Sequence, residues 1–166
     1  MQQTLISVPT ANFTRPADTT QYAVGDLVAN STTAGSVVAM SWSPFPVRAG
    51  GWITGARLRI DKSDVTSASF RLHLYTATPT FVTGGDNSAF STVVATGYAS
   101  WLASFDATLQ AIDAAGVSGI MAPTEGLVAP CNCLQGALVY GLLEARGTYT
   151  PKSASVLTVE LLVEGN

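Results

Sequence analysis

The chain has 166 residues, 47% hydrophobic and 11% charged, with 8 Lys and Arg against 11 Asp and Glu, a net charge of −3 and a pI near 4.9. That length suits one domain around one core, and abundant apolar residues with few charges are the reverse of a disordered composition. So few basic residues argue against a nucleic-acid role, which needs clustered Lys and Arg on phosphates, and no apolar run approaches the roughly 20 residues that span a bilayer.

Residues 1–16 mix single apolar side chains with Pro9, Asn12 and Pro16. They read as an extended N-terminal arm with a short strand at 4–8, and Leu5, Ile6 and Phe13 are its candidate contact residues, suited to strand addition on a neighbour. The start lacks the basic flank and apolar stretch of a signal peptide, so synthesis in the cytoplasm is expected. The N-x-S/T triplets at Asn12 and Asn30 are most simply chance in a sequence rich in Ser and Thr.

Beyond the arm, residues 17–166 form the expected domain. Strands are expected at 21–24 and 36–42, with turn chemistry at Gly25-Asp26 and Pro44-Phe45-Pro46. The clearest pattern spans 51–61. Trp52, Ala56, Leu58 and Ile60 fall on one parity, and Arg57, Arg59 and Asp61 on the other, the period-2 signature of a strand with one buried face. After a polar connection the pattern returns, with Phe70, Leu72 and Leu74 inward and Arg71, His73 and Tyr75 outward. A hairpin between the two strands is expected.

Thr78-Pro79 ends that run, and Gly84-Gly85-Asp86-Asn87 reads as a turn. A strand follows at 97–103. Residues 104–116 admit two readings: Phe105, Leu109 and Ile112 have helical spacing, while Phe105, Ala107 and Leu109 share a strand face. Thr108 and the flanking β context favour a strand leading into a loop. At 137–145, Leu138, Tyr140 and Leu142 alternate with Val139, Gly141 and Leu143, so both faces are apolar. Such a strand is central, or its outer face is covered by another subunit. A last strand is expected at 155–163. Short strands separated by Gly, Pro, Asn and Asp give an all-β fold, a single β-sandwich or a barrel.

The residues of chemistry are sparse. His73 is the only histidine, so any Ser-His-Asp or Cys-His arrangement must use it, and it sits on the polar parity of a strand. Cys131 and Cys133 form one Cys-x-Cys, with no second pair to complete a zinc site and too little separation for an unstrained disulfide. Glu144, Glu160 and Asp106 show no spacing that makes two of them a catalytic pair. Gly84-Gly85-Asp86 lacks the Lys-Ser/Thr and the helix of a phosphate loop. No catalytic, cofactor or metal site is therefore expected, and no enzymatic activity.

One constellation remains. Arg57, Arg59, Arg71 and His73 share the outward face of the expected hairpin. They form either a solvated face paired with Asp61 or Glu144, or a contact patch for an acidic protein surface. Leu138, Tyr140 and Leu142 are candidate interface residues on the late strand. Trp42, Trp52 and Trp101 could stack on sugars, which keeps a carbohydrate-binding β-sandwich as an alternative, although Trp52 fits the buried parity.

The stretch Arg15-Pro16-Ala17-Asp18-Thr19-Thr20-Gln21-Tyr22, continuing through Val24-Gly25-Asp26-Leu27-Val28-Ala29-Asn30-Ser31, resembles a segment near the N-terminus of small virion proteins of tailed bacteriophages. Phe70-Arg71-Leu72-His73-Leu74-Tyr75, Tyr140-Gly141-Leu142-Leu143-Glu144-Ala145-Arg146 and Tyr149-Thr150-Pro151 are similar to further stretches of the same proteins. The resemblance implies a capsid decoration, or cement, protein of the virion surface. Such a protein would be a β-sandwich of jelly-roll-like type that oligomerises, here expected as a homotrimer, and binds the major capsid protein. It implies no catalytic residues, and a tail or baseplate module remains the alternative.

Overall fold

Strands with one apolar face must cover it, and here one antiparallel sheet curls over a shared core to do so. The computed structural model describes residues 5–42, 51–63, 65–82, 84–124, 129–131 and 138–165. Its strands are β1 (Leu5–Ser7), β2 (Thr10–Thr14), β3 (Leu27–Val28), β4 (Met40–Trp42), β5 (Gly51–Ile60), β6 (Ser69–Tyr75), β7 (Trp101–Thr108), β8 (Gln110–Asp113), β9 (Gly116–Pro123), β10 (Ala129–Cys131), β11 (Val139–Ala145) and β12 (Val156–Gly165). Among the described residues the only helical turns are 3-10 turns at Ala34–Ser36 and Tyr98–Ser100. None is long and apolar enough to cross a membrane.

The strands run β1-β12-β5-β9-β7-β6-β11-β3 in one antiparallel sheet, with β2 also on β12, β4 on β11, β8 on β9 and β10 on β5. β9 turns the corner: Val117 to Met121 pair with β5, and Ala122 and Pro123 pair with β7. Two leaves result. Ile53, Leu58, Ile60, Leu157, Val159 and Leu161 of one share a buried cluster with Phe70, Leu72, Leu74, Phe105 and Leu143 of the other. Removing this apolar area from water is the main favourable term of the fold.

The open side of the curl is bridged by Trp42. Its ring is buried and its indole Nε1–H on β4 donates to the Val159 carbonyl of β12 at 3.2 Å. Gly141 makes room for it, since a Cβ there would lie 2.7 Å from two carbons of the Trp42 ring.

Several sequence expectations meet the structure here. The segment 104–116 is extended, and Phe105, Ala107 and Leu109 are all buried. The expected hairpin does not form. β5 pairs with β12, β9 and β10, whereas β6 pairs with β7 and β11. Local alternation marks which face of a strand is buried but carries nothing about its neighbour. Trp52 is 43% exposed rather than inward, because a register shift opposite Leu162 and Val163 flips the parity of β5. Residues 5–14, expected as an arm, lie along β12 of their own chain as β1 and β2, with Leu5 opposite Gly165 and Phe13 opposite Leu157. Part of the outer face of β11 is covered by the same chain. Leu142 joins a second cluster with Leu27, Tyr75 and Phe81, against which Phe90 and Tyr140 pack.

A buried polar clasp holds the irregular segments. Arg15 and Asp86 side chains are fully buried and paired at 2.8 Å. Tyr22 accepts from Arg15 Nε and donates to Asp86 Oδ1 at 2.5 Å, and the same oxygen accepts from the Ala29 N–H at 2.7 Å. Tyr149 stacks on Tyr22 with centroids 4.8 Å apart. The sequence reading of Gly84-Gly85-Asp86 as a turn holds for the backbone, but Asp86 itself points inward as the acceptor of this clasp.

Two outcomes follow. Gly141→Ala crowds Trp42 and lowers stability by about 1–3 kcal/mol, seen as a lower denaturant midpoint with an unchanged slope. Asp86→Ala strands the Arg15 guanidinium in the interior and costs about 3–5 kcal/mol. Asp18→Ala, which removes only a partly exposed partner of Arg15 at 3.4 Å, costs less than about 1 kcal/mol in the same assay.

Candidate functional site

The four residues expected to form one patch are divided between the leaves. Arg57 and Arg59 lie on the outer face of β5, where both reach Glu160 of β12. Arg57 Nε donates to Oε2 at 2.6 Å and Arg59 Nη2 reaches Oε1. Arg71 and His73 lie on the outer face of β6. Arg71 grips Asp106 with two parallel bonds of 2.7 Å. His73 Nε2 meets Glu144 Oε2 at 2.8 Å, and Arg146 Nη1 donates to Oε1 of the same carboxylate at 2.8 Å. Across an antiparallel pair, directly opposed residues share a face, which puts Arg57 opposite Glu160 and Arg71 opposite both Asp106 and Glu144. Of the two partners expected for this set, Glu144 takes His73 while Asp61 pairs with Lys62.

The described arginines (Arg15, Arg57, Arg59, Arg71 and Arg146) are thus each within an ion pair of their own chain. Burial alone pushes the Glu144 carboxyl up, but the bonds from His73 and Arg146 outweigh it and hold the group below its ordinary value.

Large apolar groups are exposed beside these ion pairs. On the outer face of the β12-β5-β9 leaf, Trp52 is 43% and Ile120 67% exposed, and Ile120 stands opposite Arg57. Ile112 of β8, beside β9, is also exposed. Trp42 is buried and so offers no stacking surface, whereas Trp101 on the other leaf is 41% exposed.

Trp101 opens onto an apolar concavity of the outer surface, a pocket of about 350 Å³ lined by His73, Tyr75, Phe90, Thr92, Gly97, Tyr98 and Trp101. Strand β6 supplies His73 and Tyr75, the start of β7 supplies Trp101, and the excursion between them supplies the rest. That excursion is fastened by the Thr76 and Val93 N–H bonds to the Ser100 and Thr80 carbonyls, and by Phe90 N–H to Gly25. Phe90 stacks on the His73 ring with centroids 4.5 Å apart. Gly97 is required where the chain folds back, because a Cβ there would lie 1.9 Å from Thr92 Oγ1. Sequence reading missed this pocket because strand periods at 70–75 and 97–103 do not show that the segment carrying Phe90 folds back between them. Only the density of aromatic residues at Tyr75, Phe81, Phe90, Tyr98 and Trp101 signals it.

Of the remaining expected interface residues, Leu142 is buried. Phe13 packs half-buried on the main core, and Tyr140 and Leu138 are half-buried. Leu5 and Ile6 are in β1, but their side chains lie outside the described residues. Cys131 ends β10, and Cys133 lies outside the described residues. Among the described residues no group of three or more His, Cys, Asp or Glu converges to hold a metal ion. No family model matches the sequence, and no curated protein matches it.

The depressed Glu144 carboxyl fixes the sign of one pH effect. Its contribution to stability is present above the ordinary glutamate range and is lost as pH falls through the lowered folded value. Glu144→Gln is therefore less stable than wild type at pH 7. The gap narrows as the pH is lowered below about 4.5, as read by thermal melting across pH.

Proposed function

We propose that the chain is a structural module that works by contact, and specifically a decoration protein of a tailed-bacteriophage head. It would bind the major capsid protein on the virion surface, associate as a homotrimer and transform no substrate. In this reading the two facing leaves are a β-sandwich of jelly-roll type. The observation that carries the reading is the exposure of Trp52 and Ile120 on an outer face whose arginines, Arg57 and Arg59, are already held by Glu160 of their own chain. A face with charges internally paired and large apolar groups exposed suits symmetric association, because interface centres are depleted in unpaired charge and rich in aromatic anchors. The resemblance of the 15–31 and 140–151 segments to phage virion proteins supports the particle assignment.

The expected outcome is a stable trimer by sedimentation equilibrium that binds expanded heads lacking it and raises their resistance to heat. Ile120→Glu and Trp52→Ala are each expected to weaken association by about 2 kcal/mol without unfolding the chain, since both positions are exposed. A strict monomer at high concentration that fails to bind heads overturns the reading. Labelling on the tail or baseplate in electron micrographs of the virion moves it to the alternative location.

A further inference from the structure

The geometry points to the pocket beside His73 as a binding site for a small organic cation bearing a methylated ammonium group. His73 Nε2 is held by Glu144 at 2.8 Å, and the Tyr75 side chain is buried. What the concavity offers is mainly ring surface, from Tyr75, Phe90, Tyr98 and Trp101 together with the imidazole. The polar atoms of the lining are few for the hydroxyls of a sugar, namely those of Thr92 and Tyr98 and the Trp101 indole N–H besides the imidazole. An anion would meet no Lys or Arg among the lining residues. A quaternary ammonium has no N–H to satisfy, and its charge is attracted by the quadrupole of each ring it faces.

The site is also the right size and partly built in advance. About 350 Å³ falls in the range of small-ligand pockets and exceeds a trimethylammonium group. Two walls are fixed. Tyr75 is buried, and Phe90 is clamped between His73 at 4.5 Å and Phe81 at 5.9 Å. The other two are open to water, with Tyr98 80% and Trp101 41% exposed, and they form the mouth through which a ligand reaches the fixed rings. This inference does not rest on the capsid assignment.

The test is a titration of the full chain with tetramethylammonium chloride and with choline chloride, at constant ionic strength, followed by NMR of the Trp101 indole and the Tyr98 ring. The neutral isostere of choline, 3,3-dimethylbutan-1-ol, runs in parallel. Saturable shifts confined to the pocket are expected for both cations, with at least fivefold weaker binding of the isostere. Tyr98→Ala, at an exposed position that folding tolerates, is expected to weaken choline at least fivefold, and Trp101→Phe less than Trp101→Ala. Equal affinity for choline and its isostere, no saturable shift, or an unaffected Tyr98→Ala overturns the proposal. Sedimentation with phosphatidylcholine vesicles separates the sources of the cation. Vesicle binding displaced by choline supports the site with a lipid headgroup as ligand, and choline binding without vesicle binding supports it with a soluble ligand.

Discussion

An antiparallel sheet with one apolar face must shield that face from water, and here the shield is the sheet itself. The bend through β9 lets β12 and β5 lie opposite β6 and β11, so that Leu58 and Val159 share one core with Leu72 and Leu143. Strand contacts of this kind link residues distant in sequence, as when β5 joins β12 about a hundred positions later. The fold therefore depends on long-range closure, and the Trp42 indole bridging β4 to the Val159 carbonyl is where that closure is completed.

Closing the sheet this way sets the character of the outside. Alternation sends Arg57, Arg59, Glu160, Arg71, Asp106, His73 and Glu144 to the outer faces, and strand pairing places opposite charges side by side. On the β6-β7-β11 leaf Arg71 and Arg146 are balanced by Asp106 and Glu144, whereas on the β12-β5-β9 leaf Arg57 and Arg59 share the single carboxylate of Glu160. One outer face stays bare and presents Trp52 and Ile120. The other is roofed by the excursion between β6 and β7, whose aromatic residues form both the second apolar cluster and the pocket. The Arg15–Tyr22–Asp86 clasp ties that excursion to the N-terminal strand region, so the roof and the edge of the sheet are mechanically joined.

Period-2 patterning made much of this legible. The strand faces at Leu58 and Ile60, at Phe70, Leu72 and Leu74, and at Phe105 and Ala107 follow from alternation alone, because those residues sit in regular ladders. Trp52 was misread because one register shift beyond Thr54 reverses parity, and nothing in the side chains announces it. The hairpin between β5 and β6 failed because short-range spacing contains no partner information. The arm was misjudged because Pro9 and Asn12 look like loop residues, yet the first occupies the irregularity between β1 and β2 and the second lies on an exposed edge, where both are tolerated. Asp86 was hidden in a glycine turn. Its inward aim depends on Arg15 and Tyr22, far away in sequence.

The pairing of Leu5 with Gly165 has a practical corollary. The first residue of β1 and the last of β12 lie side by side on one rim of the sheet. Cargo tethered at either point is thus displayed from the same place. A short bridge could tie the two points together and let the chain be reopened at the exposed Ala114-Ala115 tip, giving a circular permutant with its loose ends moved elsewhere.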